Sequence, residues 1–301
     1  MNIIKNKKIF FAISLLVMIP GIISLLLFGL KLSIDFTGGS KIEYQISNIK
    51  FQISNTELQK LIKEKGVDVG SIQTAEGNRY IVRTKPIDQK KYTEVTNALK
   101  NKYKDLKEIS FQTVGPTIGK ETTVNAVKSV VFASVLIIFY IAWSFRKVPK
   151  PASSWRFGVC AIVALLHDVL VVIGVFSLLG YFLSVEIDSL FVTALLTIIG
   201  FSVHDTIVVF DRIRENLRRM PDVAFPKIVN ESILQTMVRS LNTSFTTLLV
   251  LFTLFLFGGE STKWFMVALI VGITSGTYSS IFNAAPLLVV WHEWNTRGKL
   301  S

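Results

Sequence analysis

The chain is poor in the residue types that most soluble enzymes rely on. It has one cysteine, Cys160, and three histidines in 301 residues. A lone thiol closes no disulfide within the chain, and no Cys/His spacing suits a metal site. There is no phosphate-cradling glycine loop, zinc-ligand cluster or nucleophile elbow, so no hydrolytic reading has a motif behind it. Acidic residues number 21 against 33 basic ones, a net charge of +12. That excess alone would suggest nucleic acid, but much of it sits in short segments between apolar runs, where it reads as topology information.

Apolar runs are what the chain has in quantity. Half of its residues are hydrophobic and its mean hydropathy is +0.49, too apolar for an ordinary soluble domain. Six spans are expected, at about 9–30, 124–145, 157–183, 186–210, 236–258 and 264–291. The first follows Lys5, Lys7 and Lys8 like a leader peptide, yet its apolar stretch is 22 residues long with no clean small-residue cleavage site. A retained helix, kinked at Pro20-Gly21, is the expectation. Basic residues cluster at the amino terminus, at 146–156, after Phe210 and in the tail 292–301, whereas 184–188 carries only anions. Both termini are therefore expected in the cytoplasm and residues 31–123 outside it.

Residues 31–123 are more polar and read as short elements. SKIEYQIS alternates as a strand, and Ser54-Asn55-Thr56-Glu57 has the form of a capping box. VGSIQTAE and NRYIVRTK meet at a turn around Gly77, Asp88 caps a second helix, and EISFQTVG closes the domain. The order β-α-β-β-α-β is that of a ferredoxin-like sandwich, a fold that says little about function.

Ionisable residues inside the spans are few: the pairs His167-Asp168 and His204-Asp205, and Arg239. A charge near a helix centre costs roughly 2.5–3.5 kcal/mol on insertion scales, so each needs a compensating partner. Asp205 lies about 9 Å inside its span at helical rise. Arg239 lies at similar depth in the next, antiparallel span, and the two are expected to pair. An adjacent cation favours the ionised carboxylate, and separating them in a dry site favours the neutral acid. The physics leaves two readings open, a coupling device or a permanent bridge that fixes packing. Asp168 has no cation at matching depth and reads first as packed polar structure. Gly272, Gly276, Ser280 and Ala284 recur every four residues, a ridge for close helix approach. Asp211, Arg212, Arg214 and Glu215 read as a solvated helix end.

Five segments resemble the SecF branch of the SecD/SecF family of protein-export membrane proteins. They are SIDFTGGS (Asp35, Phe36, Thr37, Gly38, Gly39), VGPTIG (Gly115, Pro116, Gly119), LLHDVLV, ALLTIIGFSVHDTIVVFDRIREN and ILQTMVRSLNTSFTTLL. The similarity runs through nearly the whole chain. It implies six helices forming half of a resistance-nodulation-division-type transporter in the bacterial cell membrane, with an α+β domain between helices 1 and 2. It implies a SecD partner supplying the other half, the SecYEG channel and SecA motor as associates, an exported polypeptide as cargo, and protons rather than a cofactor as the driving ion. Asp205 matches the family's fourth-helix aspartate and Arg239 its fifth-helix arginine. His204 departs from the usual asparagine; its imidazole either donates as the amide does or adds a cation. An efflux half-transporter and a passive scaffold of the channel are the competing readings. The small outer domain argues against efflux. Neither an enzyme nor a nucleic-acid reading has support.

Overall fold

The computed structural model describes residues 2–46, 53–75, 78–146, 148–149 and 153–297. The chain divides into two compact units, residues 32–126 and the remainder.

The smaller unit begins with a one-turn helix, α2 (Ile34–Thr37), and then follows β1 (Gly39–Ile46), α3 (Asn55–Glu64), β2 (Val69–Ala75), β3 (Arg79–Thr84), α4 (Gln89–Lys102) and β4 (Leu106–Val114). The sheet is antiparallel with order β2-β3-β1-β4, the split βαββαβ arrangement of ferredoxin-like folds. Inward positions alternate along β1 and β3, so Ile42 pairs with Val82 and Tyr44 with Tyr80. Their buried faces pack on Leu58 and Ile62 of α3 and on Val95 and Leu99 of α4. Asp88 caps α4 by accepting from the Lys91 amide at 2.8 Å. The capping box expected at Ser54 does not form: Ser54 Oγ bonds Thr56 Oγ1 at 2.6 Å, and Glu57 is drawn away to Lys102 at 2.8 Å. A charged partner outcompetes the neutral backbone amide for that carboxylate. The expected turn at Glu76-Gly77 lies outside the described residues, as do Ser47, Lys147, Lys150 and the tail beyond Arg297.

The glycine motifs meet one another within this unit. Gly38 and Gly39 hold φ of 71° and 122°, in the region where a side chain is strained. A Cβ on Gly119 would lie 2.8 Å from the Gly38 nitrogen and 3.0 Å from the Phe36 oxygen, and one on Gly38 3.0 Å from the Pro116 Cα. Thr123 Oγ1 also donates to the Phe36 carbonyl, at 3.3 Å. Asp35 and Thr37 belong to the same knot through Ser33, whose Oγ accepts from the Asp35 amide at 3.2 Å and whose carbonyl accepts from Thr37 Oγ1 at 3.0 Å. Gly115 has no such neighbour.

Six helical segments are long and apolar enough to cross a membrane. They are α1 (Lys7–Phe28), α5 (Pro116–Ser144), α6 (Ser154–Leu183), α7 (Ser189–Arg219), α8 (Phe225–Phe257), and a composite of α9 (Glu260–Ser279), a π-helical turn (Ser280–Ala284) and α10 (Ala285–Arg297). Several run past the apolar boundaries that hydropathy marks. α5 starts at Pro116, with proline in the first turn where its missing N–H is no loss. α7 continues to Arg219, so the segment after Phe210 is helical and laced by Arg214–Asp211, Arg212–Glu215 and Arg219–Glu215 pairs at 2.5, 2.6 and 2.7 Å. Gly21 of α1 meets Gly174 of α6 backbone to backbone, and Ser24 bonds Ser177 beside them at 2.8 Å. Phe145, Phe157 and Phe210 fill the core where α5, α6 and α7 converge.

Candidate functional site

Two carboxylates lie between the helices, each bound to a different side of the last span. Asp168 of α6 is completely buried. Its Oδ2 accepts from Ser202 of α7 and from Ser279 of α9, both at 2.6 Å. Its Oδ1 accepts from Ser275 at 2.7 Å and lies 3.0 Å from Nδ1 of His167. With the proton on Nδ1, four donors fill the acceptor capacity of a carboxylate. Hydrogen bonds to a charged group contribute roughly 1.5–3 kcal/mol each, enough together to hold this residue without a cation.

Asp205 of α7 is 7% exposed and accepts from Ser280 Oγ at 2.5 Å. The sequence pattern anticipates its pairing with Arg239, and the structure corrects this. No Asp205–Arg239 ion pair forms among the described residues, and Arg239 is exposed on α8. The reason is angular: Asp205 turns inward with Ser202 and Thr206, whereas Arg239 shares the outward face of α8 with Val238 and Asn242. His204 is likewise exposed, turned about 100° around α7 from its buried neighbour Asp205. Asp211 and Arg212 belong to the ion-pair ladder at the helix end.

The last span connects the carboxylates. Gly272 meets Ile198 of α7, and Gly276 faces Ser202 and Asp168, so a bare backbone brings α9 against both helices. Ser275 and Ser279, flanking Gly276, reach Asp168, while Ser280 reaches Asp205. Adjacent helical residues point about 100° apart, so neighbours serve different helices. The π turn begins at Ser280. Pro286 explains it: proline has no N–H and clashes with the carbonyl four residues back, here Phe282. Asn283 of the turn accepts from Ser14 of α1 at 2.9 Å, and Phe282 stacks on Phe10 at 4.4 Å. Ser275, Ser279 and Pro286 escaped the sequence reading. Their signal was hydroxyls four apart beside two glycines, followed by an intrahelical proline.

A further polar feature lies on the outside. Thr193, Thr197, Gly200 and His204 of α7, and Gln235, Arg239, Asn242 and Thr246 of α8, are all exposed and share one 4-3-4 helical spacing. The threonines bond their own helix backbone. His204, Arg239 and Asn242 have no side-chain partner among the described residues. By contrast α5 presents Val127, Val131, Phe132, Phe139 and Trp143, a face suited to lipid.

These features define a class: a multi-pass membrane protein whose helices enclose intramembrane carboxylates and carry one small α+β unit. The family described as Protein export membrane protein SecD/SecF, C-terminal, matches residues 94–294, and the SecD/SecF GG motif matches residues 23–48. The chain belongs to the SecD/SecF family. It is 46% identical to protein translocase subunit SecF of Thermobaculum terrenum, over 97% of this chain and 94% of that one. It is 35% identical to protein translocase subunit SecDF of Bacillus subtilis over 95% of this chain but 37% of that one. The crystal structure of SecDF from Thermus thermophilus, a translocon-associated membrane protein, superposes with a TM-score of 0.83 at 34% identity. It covers 97% of this chain, which spans 39% of that longer one.

Proposed function

We propose that the chain is a SecF-type subunit of the Sec protein translocase. With a SecD half it draws on the proton gradient to promote late, post-ATP steps of export through SecYEG and SecA. Both termini face the cytoplasm in this reading, and the α+β unit lies outside the cell membrane, following the Lys and Arg of the short loops. The polar face of α7 and α8 carries the reading: His204, Arg239 and Asn242 are costly against lipid and call for a polar transmembrane partner. The SecDF relatives, which hold both halves in one chain, support SecD as that partner. Asp205 is the proton-binding group, held by Ser280 when ionised, and Arg239 acts from the partner-facing side of α8. The membrane potential provides about 2.3 kcal/mol per charge per 100 mV, sufficient to bias a balanced two-state bundle and insufficient to unfold a cargo domain in one step.

The test is accumulation of an uncleaved secretory precursor in cells whose only copy carries Asp205→Asn, with assembly of the SecD complex verified. Accumulation with an intact complex is the expected result. Normal processing establishes the scaffold reading instead.

A further inference from the structure

We propose that Asp168 is a positioning residue for Asp205, acting through Ser279 and its neighbour Ser280 at the start of the π turn. The inference deepens the proton-coupling reading and rests on it. Asp168 grips α9 at Ser275 and Ser279 through bonds of 2.7 and 2.6 Å. The next residue, Ser280, holds Asp205 through a bond of 2.5 Å. The two serines share a peptide unit, so their displacements are coupled. A shift of one ångström at Ser280 stretches its bond to the limit at which a hydrogen bond is lost. On the other side of the turn Pro286 fixes the backbone, and Asn283 and Phe282 dock it on Ser14 and Phe10 of α1. The grip of Asp168 is therefore the adjustable restraint on where the Ser280 hydroxyl points.

The geometry also says why Asp168 is not a second copy of Asp205. It is completely buried and fully supplied with donors, whereas Asp205 receives one side-chain hydrogen bond and keeps a little exposure. The charged and titratable groups around Asp205 are few. α6 presents His167 and Asp168, α7 itself presents His204 outward, and α8 presents Arg239 outward. In the last span Tyr278 donates to the Phe10 carbonyl of α1, and the other such groups stand at the ends, with Glu260 and Lys263 at one and His292, Glu293 and Arg297 at the other. Among the described residues, Ser280 is the side chain that donates to Asp205.

Losing the Ser280 donor leaves the Asp205 carboxyl without its one side-chain hydrogen bond. The test is infrared difference spectroscopy of the complex with SecD, reconstituted in lipid, following the carboxylic acid band that Asp205→Asn removes. Ser280→Ala, Ser279→Ala and Asp168→Asn are each expected to move that band to higher frequency, where a carboxyl group released from a donor absorbs. Ser279→Ala keeps the Asp168 charge and decides the matter if Asp168→Asn fails to assemble. A shift in Ser280→Ala with none in Ser279→Ala overturns the role of Asp168. An unmoved band in all three overturns the whole path. If Asp205→Asn removes no band, the underlying proton-coupling reading fails instead.

Discussion

Gly119 and Gly115 stand four residues apart in one motif, and the structure gives them different work. Gly119 lies where a Cβ would press on backbone atoms of Gly38 and Phe36, at 2.8 and 3.0 Å, while Gly115 has open space. Backbone cannot swing aside as a flexible side chain does, so Gly119→Ala is expected to cost about 1–3 kcal/mol. Gly115→Ala is expected to fall within roughly 0.5 kcal/mol of the parent. Thermal midpoints of the two variants in detergent check the difference. Partners at this scale were the least legible part of the sequence. The order of Asp168, Asp205 and Arg239 along their spans was legible, but which way each faces depends on helix rotation. A rotation of one residue, about 100°, separates a salt bridge from the observed serine contact. The pairing of Asp205 with Arg239 failed for that reason.

Elements were far more legible, because hydrophobic period and turn chemistry act locally. All four strands and both longer helices of the small unit fall within a few residues of the pattern in residues 31–123, and six spans stand where six apolar runs were read, with α5, α7 and α8 running well beyond the expected ends. Spans were underestimated only where helices continue past the apolar stretch, since a helix obeys backbone hydrogen bonding and not hydropathy. The π turn was missed because it follows from one proline and has no period of its own. The β1–α4 contact carries a pH consequence. Tyr44 is buried and its hydroxyl bonds Thr96 at 3.0 Å; burial raises its pKa to about 12. The unfolded phenol ionises near an ordinary value of about 10. Stability from this group is complete below that pH and lost as pH rises toward 12, because the unfolded chain releases the proton first. Alkaline unfolding followed by tyrosinate absorbance is expected to steepen over that interval, and Tyr44→Phe to remove this contribution.

At the scale of the whole molecule, the chain has two kinds of outer surface. α5 turns Val127, Val131, Phe132 and Trp143 outward, whereas α7 and α8 turn out His204, Arg239 and Asn242. Lipid accommodates the first face at no cost and the second only at a cost that a polar partner removes. If the second face is the seam with SecD, packing there is close, and a bulky side chain introduced at Asn242 has no room. Asn242→Trp is therefore expected to abolish co-purification of SecD, while Val131→Trp, on the lipid-suited face of α5, leaves it unchanged. Both variants add an indole at an exposed helical position, so a general insertion defect would affect them alike. Retention of SecD in both places the partner elsewhere, and loss in both reports the insertion defect. Loss in Asn242→Trp alone identifies this face of α8 as the surface that meets SecD.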